Sequence, residues 1–226
     1  MRYAINQDHL SHARATLSKR DSLYWIVGGA GSGKTTICHA LAASHGIPVY
    51  DMDAHIYGAY HGRFTEQRHP VNKAWSSSQN GLAWLLAMSW EEFDNFNRAA
   101  LPEYLDLLGE DLQNINPDGT LLIDGGICNP AIIAQVMPTE QIVCLSMPER
   151  PSSDIWQESD DRLAMKDAIY QLPNPGEAWR KFLEFDGRIT GTILKECQEN
   201  NISVCSRGAA EKVDAFAQRV GAILGI

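Results

Sequence analysis

Leu23-Tyr24-Trp25-Ile26-Val27-Gly28-Gly29-Ala30-Gly31-Ser32-Gly33-Lys34-Thr35-Thr36 is the stretch that decides the fold. Its first five residues form an apolar and aromatic run that ends abruptly in glycines, as a buried strand feeding a tight turn does. From Gly33 to about Ser44 the composition suits a helix, with Ile37, Ala40 and Leu41 on one face and Gly46 as a stop. Between strand and helix stands the spacing G-x-x-x-x-G-K-T, and that context gives it chemical meaning. Glycines let successive N–H groups turn inward, and the helix N-terminus adds the positive end of its dipole. Residues Gly28, Gly29, Ala30, Gly31, Ser32, Gly33, Lys34, Thr35 and Thr36 are therefore expected to hold a nucleoside triphosphate. Lys34 is assigned to the β and γ phosphates and the Thr35 hydroxyl to Mg2+.

Outward from this stretch the same pattern of apolar run and polar break recurs. Ile47 to Tyr50 leads into Asp51-Met52-Asp53, Thr120 to Asp124 into Gly125-Gly126, Gln141 to Leu145 into Met147-Pro148, and Asn201 to Cys205 into Ser206-Arg207-Gly208. An amphipathic helix from about Ala210 to Leu224 closes the chain. Apolar runs separated by helical segments predict a parallel sheet covered on both faces, a three-layer αβα domain. At 226 residues the chain suits a single such domain. The stretch 54–119 is too long for a bare loop and carries Leu, Ala, Trp and Phe at helical spacings from Gly81 to Leu108, with Pro102 starting or kinking a helix. It is expected to be a helical, substrate-binding insertion. The polar, proline-containing stretch 150–188 is expected to be a mobile flap.

Carboxylates cluster at the predicted strand ends. Asp124 is the acid that a Mg2+ site needs, and Gly125 and Gly126 allow a substrate close to the backbone. Strand alternation places Asp51 and Asp53 on one side, where Asp53 is the better candidate to take the proton of an attacking hydroxyl. His55, His61 and His69 show no metal-ligand spacing. Trp75, Trp84, Trp90, Phe93 and Phe96 read chiefly as the insertion's own core. Five cysteines, Cys38, Cys128, Cys144, Cys197 and Cys205, include no CxxC pair and read as reduced, buried thiols of a cytoplasmic protein. Met1 to Ser22 lacks a signal-like apolar segment and no later run is long enough to span a membrane. A net charge of −9 argues against nucleic acid as partner, and nothing periodic specifies an oligomer.

Taken with the loop GGAGSGKTT, the Asp51-Met52-Asp53 acids, LLIDGG at 121–126 and LSMPER at 145–150, the chain resembles the shikimate-kinase-like and nucleotide-kinase-like branch of the P-loop kinases over roughly Leu23 to Leu224. The resemblance implies five parallel strands in order 2-3-1-4-5, ATP and Mg2+ as cosubstrates, and a lid that closes over the phosphates. Carried over, it makes Asp53 the acceptor-side carboxylate with Asp51 beside it, Asp124 the metal-side acid and Arg162 the lid arginine. Arg207 takes the place where such kinases hold adenine. Arg63, near His55 and His61 just past the acid pair, is a candidate for the acceptor pocket. The segment between strands two and three is longer than in shikimate kinases and no Arg-Pro pair follows Asp161, as in kinases for larger acceptors. The expected function is transfer of the γ-phosphoryl group to a hydroxyl or phosphate of a small metabolite. The alternative is an ATP-binding switch that hydrolyses slowly or not at all and contacts a protein partner. An Asn-Lys-x-Asp guanine motif and an LSGGQ-like signature are both absent.

Overall fold

The computed structural model describes residues 3–115, 119–126, 129–147, 150–208 and 210–226, so Cys128, Pro148 and Glu149 lie outside the described residues. Five strands, β1 (Leu23–Gly28), β2 (Val49–Asp51), β3 (Leu121–Asp124), β4 (Ile142–Ser146) and β5 (Ser203–Ser206), form one sheet in the order β2-β3-β1-β4-β5. Every pairing is parallel. Alternation along the strands sorts the core into two halves. Leu23, Trp25, Val27, Leu121, Ile123 and Cys144 pack with α1 (Gln7–Leu17), α6 (Trp90–Asn114) and α10 (Pro175–Glu199). Ile26, Leu122, Val143 and Leu145 pack with α2 (Lys34–His45) and α11 (Val213–Leu224). The three layers are as expected. Among the described residues four cysteines are free and buried, and no helix is long and apolar enough to cross a membrane.

Helix α1 is an element the sequence reading does not assign. Asn6 caps it by accepting from the amides of Asp8 and His9, and Leu10, Ala13 and Leu17 bury one stripe. Between β2 and β3 run α3 (Met52–Ala54), a π-helical turn at His55–Ala59, α4 (Pro70–Ser76), α5 (Gly81–Leu86) and α6. Pro102 does not start a helix: of the two expectations, starting or kinking, only a place inside a helix is met, in α6, which begins at a Ser89/Glu92 capping box. After β3 comes α7 (Pro130–Ile133), and after β4 come α8 (Ser152–Ile155) and α9 (Asp160–Tyr170). The expected flap is therefore largely helical. Its second half is the start of α10, which runs on past residue 188 to bury Ile193 and Cys197.

Two buried carboxylates of α6 hold the insertion together. Glu103, 1% exposed, accepts from the amides of Val71 (3.0 Å) and Asn72 (2.8 Å) and from Asn72 Nδ2 (2.8 Å), so it caps the first turn of α4. Glu103→Ala leaves these donors without a partner and is expected to cost about 3 kcal/mol, read as a lower midpoint in urea unfolding.

Asp106, also 1% exposed, receives His12 Nδ1 (2.6 Å), His69 Nε2 (3.1 Å) and Arg68 Nη2 (2.7 Å), with His9 Nδ1 at 3.5 Å. Burial works to raise the Asp106 carboxyl, but hydrogen bonds from His69, His9 and His12 overcome it and hold the group well below the usual carboxylate range. The hydrogen bond to Asp106 raises His9 in turn, against the opposing effect of burial. A raised histidine stabilises the fold fully below its unfolded pKa of ~6.5 and loses that contribution as pH rises through the higher folded value. Stability is thus expected to fall as pH rises above ~6.5 through the raised folded value, and thermal unfolding of Asp106→Asn is expected to lose most of this slope.

Candidate active site

The parallel register brings the chemistry-bearing strand ends to one edge. Asp51 stands opposite Asp124 across β2 and β3, Ile26 opposite Asp124 across β3 and β1, and Gly28 opposite Leu145 across β1 and β4. The loop after β1 therefore emerges between the acids on one side and the flap on the other. Gly28, Gly31 and Gly33 have φ of +148°, +73° and +87°, the turned backbone that the spacing predicts. Gly33 is the N-cap of α2 and offers no side-chain cap, so the first amides of α2 remain directed at the loop's concave face. Thr36 lies on that exposed first turn, and Gly29, Ala30 and Ser32 border a cavity of about 380 Å³ beneath the flap.

Lys34 Nζ bends back to donate to the Gly29 carbonyl at 3.1 Å, and its charge acts on both Asp53 and Asp124. Asp124 is 4% exposed; the Thr35 hydroxyl and the Cys38 thiol both hydrogen-bond to it. Burial pushes the Asp124 carboxyl above its ordinary value, with Thr35 and Lys34 opposing. Its Oδ1 is buried without a hydrogen-bond partner. An orphaned carboxylate oxygen beside a threonine hydroxyl and a ring of inward amides is the donor set that Mg2+ and phosphates require, so the residues present fit both groups. Burial likewise pushes the Cys38 thiol up, which keeps it a protonated donor.

Asp51 and Asp53 are brought to the site differently from expectation. Strand alternation ends at Asp51, because its Oδ1 accepts the Ala54 amide (2.9 Å) and caps the helical turn that follows. Asp53 sits in that turn and faces the end of β3. A Cβ on Gly125 would lie 2.5 Å from Asp53 Oδ2, and the Gly126 amide donates to Asp53. With φ of +72°, Gly125 is also in the left-handed region, so any side chain there is strained as well as obstructed. Trp25 Nε1 donates to the Gly125 carbonyl at 3.2 Å and fixes this turn from inside the sheet. Asp53 is exposed as a residue, but the groups crowded around its carboxyl strip part of its hydration and raise it; Lys34 lowers it, and Asp51 and Asp124 raise it further.

The three arginines named from the sequence each have a protein partner in this structure. Arg162 donates to the Ile155 carbonyl (2.9 Å) and to Glu158 (3.0 Å), within the flap itself. Arg150, also paired with Glu158, is the flap arginine that lines the cavity against Gly29, Ala30 and Ser32. Arg63 is engaged by Asp111 (2.6 Å) and Glu110 (2.9 Å) of α6 and lies over the Tyr60 ring, so it ties down the insertion and offers no spare charge to an acceptor. Arg207 donates twice to the Glu211 carbonyl, the bonding of a turn residue. His55 stacks on Tyr50, His69 belongs to the Asp106 cluster, and among the described residues no group of three or more His, Cys, Asp or Glu side chains is arranged to hold a metal ion.

Sequence reasoning missed the residues that pack against the loop from afar. A Cβ on Gly29 would meet Thr190 of α10 at 2.3 Å, and one on Gly31 would meet Ile155 of α8 at 2.9 Å. Trp25 was open to discovery, since a core-facing tryptophan needs an acceptor for its N–H. Nothing in the sequence announces Thr190 or Ile155.

Strand order and loop together decide the architecture. The fold is the P-loop kinase-like one. No family model and no curated protein sequence matches the chain. Among solved structures it is similar to TT1252 from Thermus thermophilus, at 18% identity over 90% of this chain and 96% of that one, with a TM-score of 0.49. It is also similar to shikimate kinase from Acinetobacter baumannii in complex with shikimate, at 18% identity over 94% and 97% of the two chains, with a TM-score of 0.41. The assignment of the fold rests on the strand order and the loop geometry themselves.

Proposed function

We propose that this chain is an ATP- and Mg2+-dependent phosphotransferase acting on a small metabolite. One observation carries the reading: Asp53 is held against Gly125 and Gly126, on the same edge as Lys34 and the Thr35–Asp124 pair. A protein that only binds or slowly hydrolyses nucleotide has no need of a third carboxylate there.

The loop amides from Gly28 to Gly33 and the first turn of α2 would hold the phosphates, and Thr35 with Asp124 would hold the metal or its waters. When bound, ATP with Mg2+ supplies the phosphoryl group and part of its charge compensation. Lys34 leaves the Gly29 carbonyl for the phosphate oxygens. Asp53 orients the acceptor hydroxyl and accepts its proton, a task helped by the upward push that crowding gives its carboxyl. Arg150 is the flap cation we assign to the transferring group in place of Arg162, because it already borders the loop. The insertion, residues 54–119, forms the acceptor side, and 150–188 the lid. Free buried thiols at Cys38, Cys144, Cys197 and Cys205 suit the reducing cytoplasm.

The test is ATP binding by titration calorimetry with and without Mg2+, followed by ADP release across a panel of small hydroxyl compounds. Stimulation of ADP release by an acceptor supports phosphotransfer. Mg2+-dependent binding with no stimulated turnover supports the nucleotide switch instead.

A further inference from the structure

The turn that carries Asp53 presents an aromatic ring beside it. Met52 and Ile56 are both buried and both face Gly126, since a Cβ on that glycine would lie 2.5 Å from Met52 Cγ and 3.2 Å from Ile56 Cδ1. Residues four apart therefore share a face across the junction of α3 and the π-helical turn. One position along, the same register aligns Asp53 with Tyr57, and both are exposed. Asp53 looks onto Gly125 and is acted on by Lys34, so Tyr57 stands one turn beyond it on the same side.

Tyr57 is 68% exposed, the most open large apolar side chain among the described residues. Trp75 of α4 meets it edge-on, with 6.0 Å between ring centroids and 79° between planes, and steadies the ring. Trp75 Nε1 is buried without a hydrogen-bond partner, so ring packing sets the place of this tryptophan. Gly58, the next residue after Tyr57, adds no side chain, and a Cβ there would meet nothing within 4 Å, so the surroundings of the turn are open. The turn is π-helical, the Tyr60 amide donating to the His55 carbonyl at 2.8 Å, a rare geometry found frequently at functional sites. A steadied, exposed ring one turn from the candidate proton acceptor is a stacking surface, and stacking selects a partner by its flat face.

We propose that the acceptor is an alcohol carrying an aromatic or heteroaromatic ring, and that Tyr57 is the specificity-determining residue on which that ring stacks while the hydroxyl reaches Asp53. This rests on the phosphotransfer reading and narrows it. One turn of helix separates the two side chains by about 6 Å, a gap that a ring with its hydroxyl on a short arm spans.

The experiment follows ADP release with ATP and Mg2+ for alcohols that carry such a ring, pyridoxine, cytidine and adenosine, and for alcohols that do not, glycerol, erythritol and sorbitol. Wild type, Tyr57→Ala and Tyr57→Phe are compared. In the wild type a ring-bearing acceptor is expected to exceed the ring-free set in kcat/KM by about tenfold or more. Tyr57→Ala is expected to raise the KM of that acceptor about tenfold while kcat and the KM for ATP stay near their wild-type values, and Tyr57→Phe to restore it, because the ring and not its hydroxyl stacks. Ring-free alcohols used as well as ring-bearing ones, a KM unmoved by Tyr57→Ala, or a Tyr57→Phe no better than Tyr57→Ala overturns the proposal while leaving phosphotransfer standing. ADP release that no alcohol of either kind stimulates, with ATP binding intact, removes the phosphotransfer reading and the proposal with it.

Discussion

Lys34→Ala is expected to lower phosphoryl transfer about a thousandfold while shifting stability by no more than about 1 kcal/mol. The asymmetry follows from what the amine does in each state. Its hydrogen bond in the free protein is a single contact to the Gly29 carbonyl at 3.1 Å, on a half-buried side chain. That carbonyl borders an open loop where water can replace the lysine. In the phosphotransfer reading, the same amine would be the loop's positive charge beside the transferring phosphoryl group. Steady-state kinetics and urea unfolding on the same preparation separate the two effects. A variant that unfolds makes Lys34 a structural residue, and one that keeps its turnover removes Lys34 from the reaction.

Asp53→Asn is expected to cut kcat about a hundredfold or more with little change in ATP affinity. The substitution keeps the shape that Gly125 leaves room for, since the amide oxygen can still accept from the Gly126 amide. What it removes is a proton acceptor. In the wild type, crowding around the Asp53 carboxyl pushes it above its ordinary value, and Lys34 only partly offsets this. Transfer should therefore fall on the acid side as Asp53 takes up its proton, at a pH higher than an ordinary aspartate would give. That acid limb should be absent in Asp53→Asn. A variant with unchanged kcat and the same pH profile would leave Asp53 with only a positioning role.

The strands and the loop were legible in the sequence because each rests on a local pattern: short apolar runs broken by glycine or aspartate, and one spacing whose glycines shape the backbone directly. The start of α6 was equally available, since Ser89 and Glu92 form the capping box that sets it upstream of Pro102. Helix α1 was harder, because its buried stripe of Leu10, Ala13 and Leu17 is diluted by histidines that find their partner, Asp106, only across the fold. Asp51 and Asp53 both lie at this edge, but strand alternation does not relate them: capping by Asp51 breaks the strand period. Arginines were the least legible. A guanidinium is always charged, so its sequence neighbourhood cannot say whether Asp111, Glu158 or a phosphate will claim it. Such pairings are tertiary facts.

If the protein is a phosphotransferase, the phosphoryl group leaves ATP for an acceptor and not for water. Phosphorus NMR of a reaction containing the protein, ATP, Mg2+ and the acceptor that most stimulates ADP release tests it directly. A new phosphate-ester resonance is expected, growing in step with ADP and lost with Lys34→Ala. ADP accompanied only by inorganic phosphate, with no ester formed, would contradict it.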